Sequence, residues 1–68
     1  MRVGVQSSFI SFVDYNERAM TLDVWLHNGH GYRYFYVTAG MYAEFMSMRS
    51  KGSYYNSKIK RRLPSAVL

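Results

Sequence analysis

The chain has 68 residues and a net charge of +5, which allows a single domain over residues 1–68. We take its core as about residues 6–63, with a short tail at 64–68. Cysteine is absent, which excludes disulfides, thiolate catalysis and cysteine-based zinc sites. With no disulfides, no signal-peptide pattern and no apolar run of about 20 residues, we expect a cytoplasmic protein that does not enter a membrane.

Hydrophobic residues make up 49% of the chain and aromatic residues 18%, which predicts a folded domain. The positive charge lies near the C-terminus. Residues 1–48 have three arginines and four carboxylates, a net charge of −1. Residues 49–68 have no acidic side chain and a net charge of +6, from Arg49, Lys51, Lys58, Lys60, Arg61 and Arg62. Such a cluster is typical of proteins that bind phosphate-bearing partners, although a solvated, solubilising tail explains it equally well.

The first half of the chain has the residue pattern of β-strands. Residues 9–15 are rich in aromatic and β-branched side chains and predict a first strand, followed by a turn. Residues 20–27 alternate apolar and polar side chains and predict a second strand, with Leu22 and Val24 on its apolar face. After the hairpin pair Asn28-Gly29, residues 31–37 predict a third strand.

The second half predicts two helices. Thr38 is a suitable N-cap for a helix over residues 39–50, and Gly52 suits the position just past its end. Ser53 can cap a second helix over residues 54–62. Its inward-facing side chains are predicted to be Tyr55, Ile59 and Leu63. A separate stripe would hold Tyr54, Lys58 and Arg61. The predicted fold is α+β, a three-stranded antiparallel β-meander followed by two short C-terminal helices.

The Asn28-Gly29 pair determines the expected register of the second and third strands. If these two residues form the loop, Trp25 pairs with Tyr32. One sheet face then consists of Trp25, Tyr32, Tyr34 and Tyr36. Arg33 is the exception on the opposite, aliphatic face. A four-residue loop preserves this assignment, whereas a three-residue loop inverts the third strand. Aromatic rings beside cations can bind single-stranded RNA, but the same rings could instead be the core beneath the helices.

No pattern in the sequence indicates catalysis, so we expect neither an enzyme nor a cofactor. The four carboxylates have no spacing that suggests acid–base chemistry. His27 and His30 flank the predicted turn, but only Asp23 is near them on the same face, which is too few ligands for a metal site. Gly29 and Gly31 lie between two strands, where a phosphate-binding loop does not occur.

An ordered series of short motifs extends through most of the chain. It begins with Ser7-Ser8-x-Ile10 and continues with Thr21-Leu22-x-Val24, Asn28-Gly29 and Tyr32-Arg33-Tyr34-Phe35. It closes with Ser50-Lys51-Gly52-Ser53-Tyr54-Tyr55-Asn56 and Ile59. Over about residues 6–63 this series resembles the KTSC domain, a short module named for its occurrence at the C-terminus of some lysyl-tRNA synthetases. The family also occurs as small free-standing bacterial and phage proteins, which the length of this chain suits.

The resemblance implies a role in RNA binding and no catalytic residues. Two positions depart from the family pattern. Tyr36 stands where a small residue, often glycine, is usual, and Thr38 replaces the usual proline. These departures predict a straighter and more aromatic third strand.

Together these observations predict a non-catalytic module that binds single-stranded RNA or tRNA through an aromatic sheet face and the basic C-terminal cluster. The predicted base-stacking residues are Tyr32, Tyr34, Tyr36 and Trp25. The predicted phosphate contacts are Lys51, Lys58, Lys60, Arg61 and Arg62. The alternative is a protein-interaction module, such as a small phage protein that binds a host enzyme, because tyrosine, tryptophan and arginine are also enriched at protein interfaces. An exposed edge strand in so small a sheet could also pair with a second copy to form a homodimer.

Overall fold

The computed structural model describes all 68 residues and contains a five-stranded antiparallel sheet in which the strands lie in sequence order. The strands are β1 (Arg2–Gly4), β2 (Ile10–Asn16), β3 (Thr21–Leu26), β4 (Gly31–Tyr34) and β5 (Ser65–Val67). Between β4 and β5 lie helix α1 (Ala39–Ser47), helix α2 (Lys51–Tyr54) and a π-helical segment (Tyr55–Lys60) that continues α2 directly. None of these helices has the length and apolarity needed to cross a bilayer. The α+β class is confirmed, but the predicted count of three strands is wrong.

The two strands that the sequence does not predict, β1 and β5, are the edges of the sheet. Val3 of β1 lies opposite Val13, and Ala66 of β5 lies opposite Arg33. Each edge strand has only three residues, too few for a recognisable alternation. Residues 65–67 therefore form a strand where the sequence predicts a tail. As a result, the helices are inserted between two strands and are not C-terminal.

The hairpin between β3 and β4 has the inverted register, because its loop consists of residues 27–29. The amide of Leu26 donates to the carbonyl of His30 (2.8 Å), and the amide of Gly29 donates to the carbonyl of Leu26 (3.0 Å). Gly29 has a φ of 91°, the left-handed conformation that a three-residue loop requires at its last position. Trp25 consequently lies opposite Gly31, and the predicted pairing of Trp25 with Tyr32 is wrong.

The inverted register exchanges the two faces of β4. Tyr32 and Tyr34 now lie opposite Val24 and Leu22 on the core face. Arg33 turns to the other face, where its Nε and Nη2 donate to the two carboxylate oxygens of Asp23 at 2.7 and 2.9 Å. In the predicted register the guanidinium would have been on the core face, and burial of an unpaired charge is strongly unfavourable. This penalty favours the three-residue loop.

A β-bulge in β2 places Ile10 and Val13, which are three positions apart, on the same face of the sheet. Ile10 pairs with Leu26 while Phe12 pairs with Trp25, so Ser11 is the extra residue. Ile10 and Val13 would otherwise lie on opposite faces, yet both are fully buried. The remaining core residues are Val5, Leu22, Val24, Tyr34, Val37, Phe45, Tyr54, Tyr55 and Ile59.

The N-terminus of α1 is at the predicted position, but its end is not. The hydroxyl of Thr38 accepts a hydrogen bond from the amide of Met41 (3.1 Å), which confirms the predicted N-cap. The helix ends at residue 47 because the chain is extended at residue 48. The side chain of Ser50 then caps α2 by accepting from the amide of Ser53 (3.4 Å). The second helix therefore begins at residue 51 and not at residue 54.

Gly52 lies inside α2, which corrects its predicted position after the first helix. A Cβ atom at Gly52 would lie 2.7 Å from Cε1 of Phe9. The absence of a side chain thus lets α2 pack directly on the Phe9 ring. Phe9 in turn contacts Tyr55, with the ring centroids 6.0 Å apart.

The π-helical segment covers the core face of the sheet from the side of α2. As predicted, the residues that face inward are Tyr55, Ile59 and Leu63. Tyr54 is buried as well, so it does not share an exposed stripe with Lys58 and Arg61. The exposed side of this segment is consequently more basic, and less aromatic, than the sequence predicts.

Candidate nucleic-acid interface

The four predicted base-stacking residues do not lie on one face of the sheet. Tyr34 is only 3% exposed on the core face, and Tyr32 is half-buried on the same face. Trp25 lies on the opposite face, beside Gly31. Tyr36 follows the end of β4 and is 66% exposed. The aromatic face that the two-residue loop predicts is therefore not present.

Tyr34 is a core residue that pairs with Tyr55. Their hydroxyl oxygens are 2.5 Å apart, and their rings meet edge to face at 86°. Burial raises the pKa of both hydroxyls, and the hydrogen bond between them raises the pKa of Tyr55 further and partly offsets the rise at Tyr34. A ring enclosed in this way has no face open to a base from the solvent.

The face opposite the core has an aromatic row of its own. Phe12 and Trp25 stack with their centroids 5.9 Å apart, and the guanidinium carbon of Arg2 lies 4.7 Å from the centroid of Phe12. The neighbouring row on this face is charged and consists of Arg2, Asp14, Asp23 and Arg33 in strand order. The two carboxylates disfavour a phosphate backbone across these rings.

The six cations of residues 49–62 form what we call the basic surface: Arg49, Lys51, Lys58, Lys60, Arg61 and Arg62. All are exposed except Lys51, which is half-buried and donates from Nζ to the carbonyl of Met48 (2.9 Å). The ion pairs of the chain involve none of these six residues. Their charges are therefore not neutralised within the protein.

Three of the four carboxylates have partners that are not cations of the basic surface. Asp14 pairs with the N-terminal ammonium group (2.7 Å), and Asp23 pairs with Arg33. Glu44 accepts a hydrogen bond from the hydroxyl of Tyr54 (2.8 Å). Burial and, to a smaller extent, this hydrogen bond raise the pKa of Tyr54 to about 12. None of these carboxylates forms an ion pair with a cation of the basic surface, although Glu44 contacts Tyr54 of the same segment.

A polar cleft of about 330 Å³ lies between the loop before β2 and the start of α2. The residues that line it are Gln6, Ser7, Ser8, Phe9, Arg49, Ser50, Lys51, Gly52, Ser53 and Asn56. No carboxylate lies among them. Lys51 is the one predicted phosphate contact that lines the cleft; the other four lie beyond it in the π-helical segment and the turn that follows.

Internal hydrogen bonds fix both walls of the cleft. On one side, the hydroxyl of Ser7 accepts from the amides of Phe9 and Ile10, at 3.3 and 3.2 Å. On the other side, the hydroxyl of Ser50 donates to that of Ser53 (2.9 Å). No group of three or more histidine, cysteine or carboxylate side chains with metal-binding geometry occurs in the chain. The cleft therefore offers hydroxyl, amide and cationic groups but no metal-ligand set.

Residues 6–62 match the family model of the KTSC domain. The chain belongs to the KTSC domain family. The crystal structure of a KTSC domain protein from Yersinia pestis matches the fold with a TM-score of 0.92. The two sequences are 28% identical, and the match covers 100% of this chain and 96% of that one. No curated protein matches the chain.

The two ends of the KTSC motif series meet at the polar cleft. Ser7-Ser8 supplies one wall, and the segment from Ser50 to Asn56 supplies the other. The sequence predicts Lys51 as a contact but none of the serines, nor Arg49 or Asn56. The serines and Asn56 belong to the first and last motifs of the series, which is the pattern that could have identified them; Arg49 lies just before the last motif.

The two departures from the KTSC pattern have different structural effects. Thr38 replaces a proline without loss of the helix start, because its side chain caps α1. Tyr36 has a φ of 65°, in the left-handed region where glycine is favoured. β4 ends at Tyr34, so the straighter third strand expected from the tyrosine at position 36 is not formed.

Proposed function

We propose that the chain is a non-catalytic, cytoplasmic module that binds single-stranded RNA, chiefly through phosphate contacts. The observation that supports this most strongly is the basic surface, six cations without a carboxylate partner. An RNA backbone repeats one negative charge per nucleotide, and a run of free cations binds it by releasing condensed counterions. The proposed phosphate contacts are still Lys51, Lys58, Lys60, Arg61 and Arg62. We add Arg49 to this set.

Base stacking contributes less in this proposal than the sequence suggests. Of the four predicted rings, only Tyr36 is mostly exposed, while Tyr34 is enclosed in the core. Trp25 lies on the face that also has Asp14 and Asp23. Because phosphate contacts carry little sequence information, we expect weak preference among RNA sequences of equal length.

The first experiment measures binding of a fluorescently labelled single-stranded RNA by anisotropy over a series of salt concentrations. If three to five phosphates are neutralised, the logarithm of the association constant falls against the logarithm of salt concentration with a slope of about −2 to −3.5. Binding that does not depend on salt, or no binding at low salt, contradicts the proposal.

Charge-neutralising variants test which cations are responsible. The combined variant Lys58→Gln, Lys60→Gln, Arg61→Gln and Arg62→Gln should weaken binding and flatten the slope by about 0.7 for each phosphate that is no longer neutralised. Arg18→Gln is the matched control, because Arg18 is exposed in the turn between β2 and β3 and has no ion-pair partner. Equal weakening per removed charge, one in the control and four in the combined variant, would mean that net charge alone governs binding.

A protein-interaction module is the second candidate, and the face opposite the core favours it. Phe12 and Trp25 there are half-buried aromatic rings beside the pair formed by Arg33 and Asp23, a composition common at protein interfaces. β5 also has one side free, along which a second copy could pair. A specific complex that persists after nuclease treatment and is lost on Trp25→Ala would favour this candidate over RNA.

A further inference from the structure

We propose that the polar cleft binds a terminal phosphomonoester, the group present at the 5′ end of an RNA and on a free nucleotide. This inference rests on the proposed function, because it assigns one end of the bound RNA to one site. The cleft is concave and has a volume within the range of sites for small ligands. Arg49 and Lys51 of the basic surface line it, and the other four cations follow in the π-helical segment and the turn after it.

The charge of the cleft selects an anion. Arg49 and Lys51 line it, and no carboxylate does. The guanidinium of Arg49 makes no hydrogen bond within the protein and can bind two oxygens of one phosphate at once. Lys51 uses one of its three ammonium protons for the carbonyl of Met48 and keeps the other two.

Two hydroxyl groups of the cleft keep a proton that no hydrogen bond within the protein uses. Ser7 Oγ accepts two backbone hydrogen bonds, so its own proton is not used within the chain. Ser53 Oγ accepts from Ser50, which leaves the proton of Ser53 free in the same way. The internal bonds thus occupy acceptor positions and leave donors, which is what a ligand with only acceptor oxygens requires.

Further donors in the cleft have no partner within the protein. These side chains belong to Gln6, Ser8 and Asn56. A terminal phosphomonoester has three strongly accepting oxygens and a charge of about −1.5 to −2 near neutral pH, more than a backbone phosphodiester has. The excess of donors over internal acceptors therefore fits the monoester better than a phosphate within the chain.

The walls of the cleft are positioned before any ligand binds. Gly52 lies against the Phe9 ring, so that a Cβ atom would be 2.7 Å from Cε1, and Phe9 packs on Tyr55. Nε2 of His27 lies 3.1 Å from the carbonyl oxygen of Ser7 on the other wall. Because the backbone of neither wall has to become ordered on binding, the loss of conformational entropy is confined to the exposed side chains that contact the ligand.

The experiment compares two RNAs of the same sequence, one with a 5′-phosphate and one with a 5′-hydroxyl, in the anisotropy assay. We expect the phosphorylated RNA to bind about tenfold more tightly, as charge-assisted hydrogen bonds to one added phosphate would give. The combined variant Arg49→Gln and Ser8→Ala should remove this difference. Both side chains lack internal hydrogen bonds, so the variant should keep its melting temperature, and Arg18→Gln is again the control.

A competition experiment distinguishes a free nucleotide from an RNA end as the ligand of the cleft. Adenosine monophosphate should displace the phosphorylated RNA from the cleft, whereas adenosine should not. If adenosine monophosphate binds as tightly as the phosphorylated RNA, the ligand is a free nucleotide; if it binds much more weakly, the ligand is an RNA end.

The outcomes separate this inference from the proposed function. Salt-dependent binding that is equal for the two RNAs overturns the cleft site and leaves RNA binding intact. A preference for the phosphorylated RNA that survives in the combined Arg49 and Ser8 variant also overturns it, because another site must then hold the phosphate. Binding of adenosine monophosphate without binding of either RNA supports the cleft and contradicts the proposed function.

Discussion

The hydroxyl groups of Tyr34 and Tyr55 hydrogen-bond to each other in the core, with their oxygens 2.5 Å apart. The two residues are 21 positions apart in the sequence, in β4 and in the π-helical segment. Because neither hydroxyl has another partner, each satisfies the other's need for a hydrogen bond in the interior. The pair thus joins the sheet to the helical part of the chain, as does the stack of Tyr15 of β2 on Tyr42 of α1.

A double-mutant cycle tests this pairing. Tyr55→Phe should lower the free energy of unfolding by about 1–3 kcal/mol, because it leaves the Tyr34 hydroxyl buried without a partner. Tyr34→Phe should have a similar effect. The double variant should lose less than the sum of the two, since no hydroxyl is then left unpaired. Urea denaturation measures all three, and additive losses would mean that the hydroxyls are not coupled.

Stability should decrease at alkaline pH. Burial and the bond to Glu44 raise the pKa of Tyr54 from its ordinary value of 10.0 to about 12, so folding favours the neutral phenol. The resulting stabilisation is complete below pH 10 and is lost as the pH rises toward 12. Tyr34 and Tyr55, whose pKa values are also raised, add to the loss in the same direction. Urea midpoints measured across this interval should fall, and Tyr54→Phe should reduce the slope.

Replacement of Tyr36 by glycine should stabilise the protein. Tyr36 has a φ of 65°, and the left-handed region costs about 1–2 kcal/mol for a residue with a side chain. The greater freedom of glycine in the unfolded chain offsets about 0.4–1 kcal/mol, so we expect a net gain of about 0.5–1 kcal/mol. Tyr36→Ala is the control, because it removes the exposed ring but keeps the strain. A thermal melt of the glycine variant no higher than that of the alanine variant would contradict the prediction.

Gly31 should not tolerate a side chain while Trp25 is present. A Cβ atom at Gly31 would overlap with Cε3 and Cζ3 of the Trp25 ring. Gly31→Ala should therefore displace the indole, reduce stability by about 1–3 kcal/mol and change the fluorescence of this single tryptophan. In a Trp25→Ala background the loss should be much smaller. Gly4→Ala is the control, since nothing lies within 4 Å of its added Cβ.

The sequence predicts the elements with a repeated pattern and misses those without one. The alternation around Leu22 and Val24 identifies β3, and the cap at Thr38 identifies the start of α1. Register depends on one loop residue, and Asn28-Gly29 is compatible with loops of either two or three residues. The position of Arg33 could have decided between the two loop lengths, because a two-residue loop places its charge on the core face. The loop length then determines which face of the sheet each side chain of β4 occupies.

The candidate site is only partly predictable for a different reason. A cluster of cations is contiguous in the sequence, so the basic surface can be read from composition alone. The polar cleft combines Ser7 and Ser8 near one end of the chain with Arg49 and Asn56 near the other. Only the packing of α2 on the Phe9 ring brings these segments together, and that packing depends on the absence of a side chain at Gly52.

The position of β5 has a consequence for the order of folding. β1 to β4 are joined by short connections, so their pairing encloses little chain and can form rapidly. Tyr34 of β4 meets Ser65 of β5 only after the whole helical part of the chain has been enclosed between them. Because closing a longer loop loses more entropy, β5 should be the last strand to dock and the first to detach. Its amides should exchange with solvent deuterium faster than those of β3, through openings that leave the core intact.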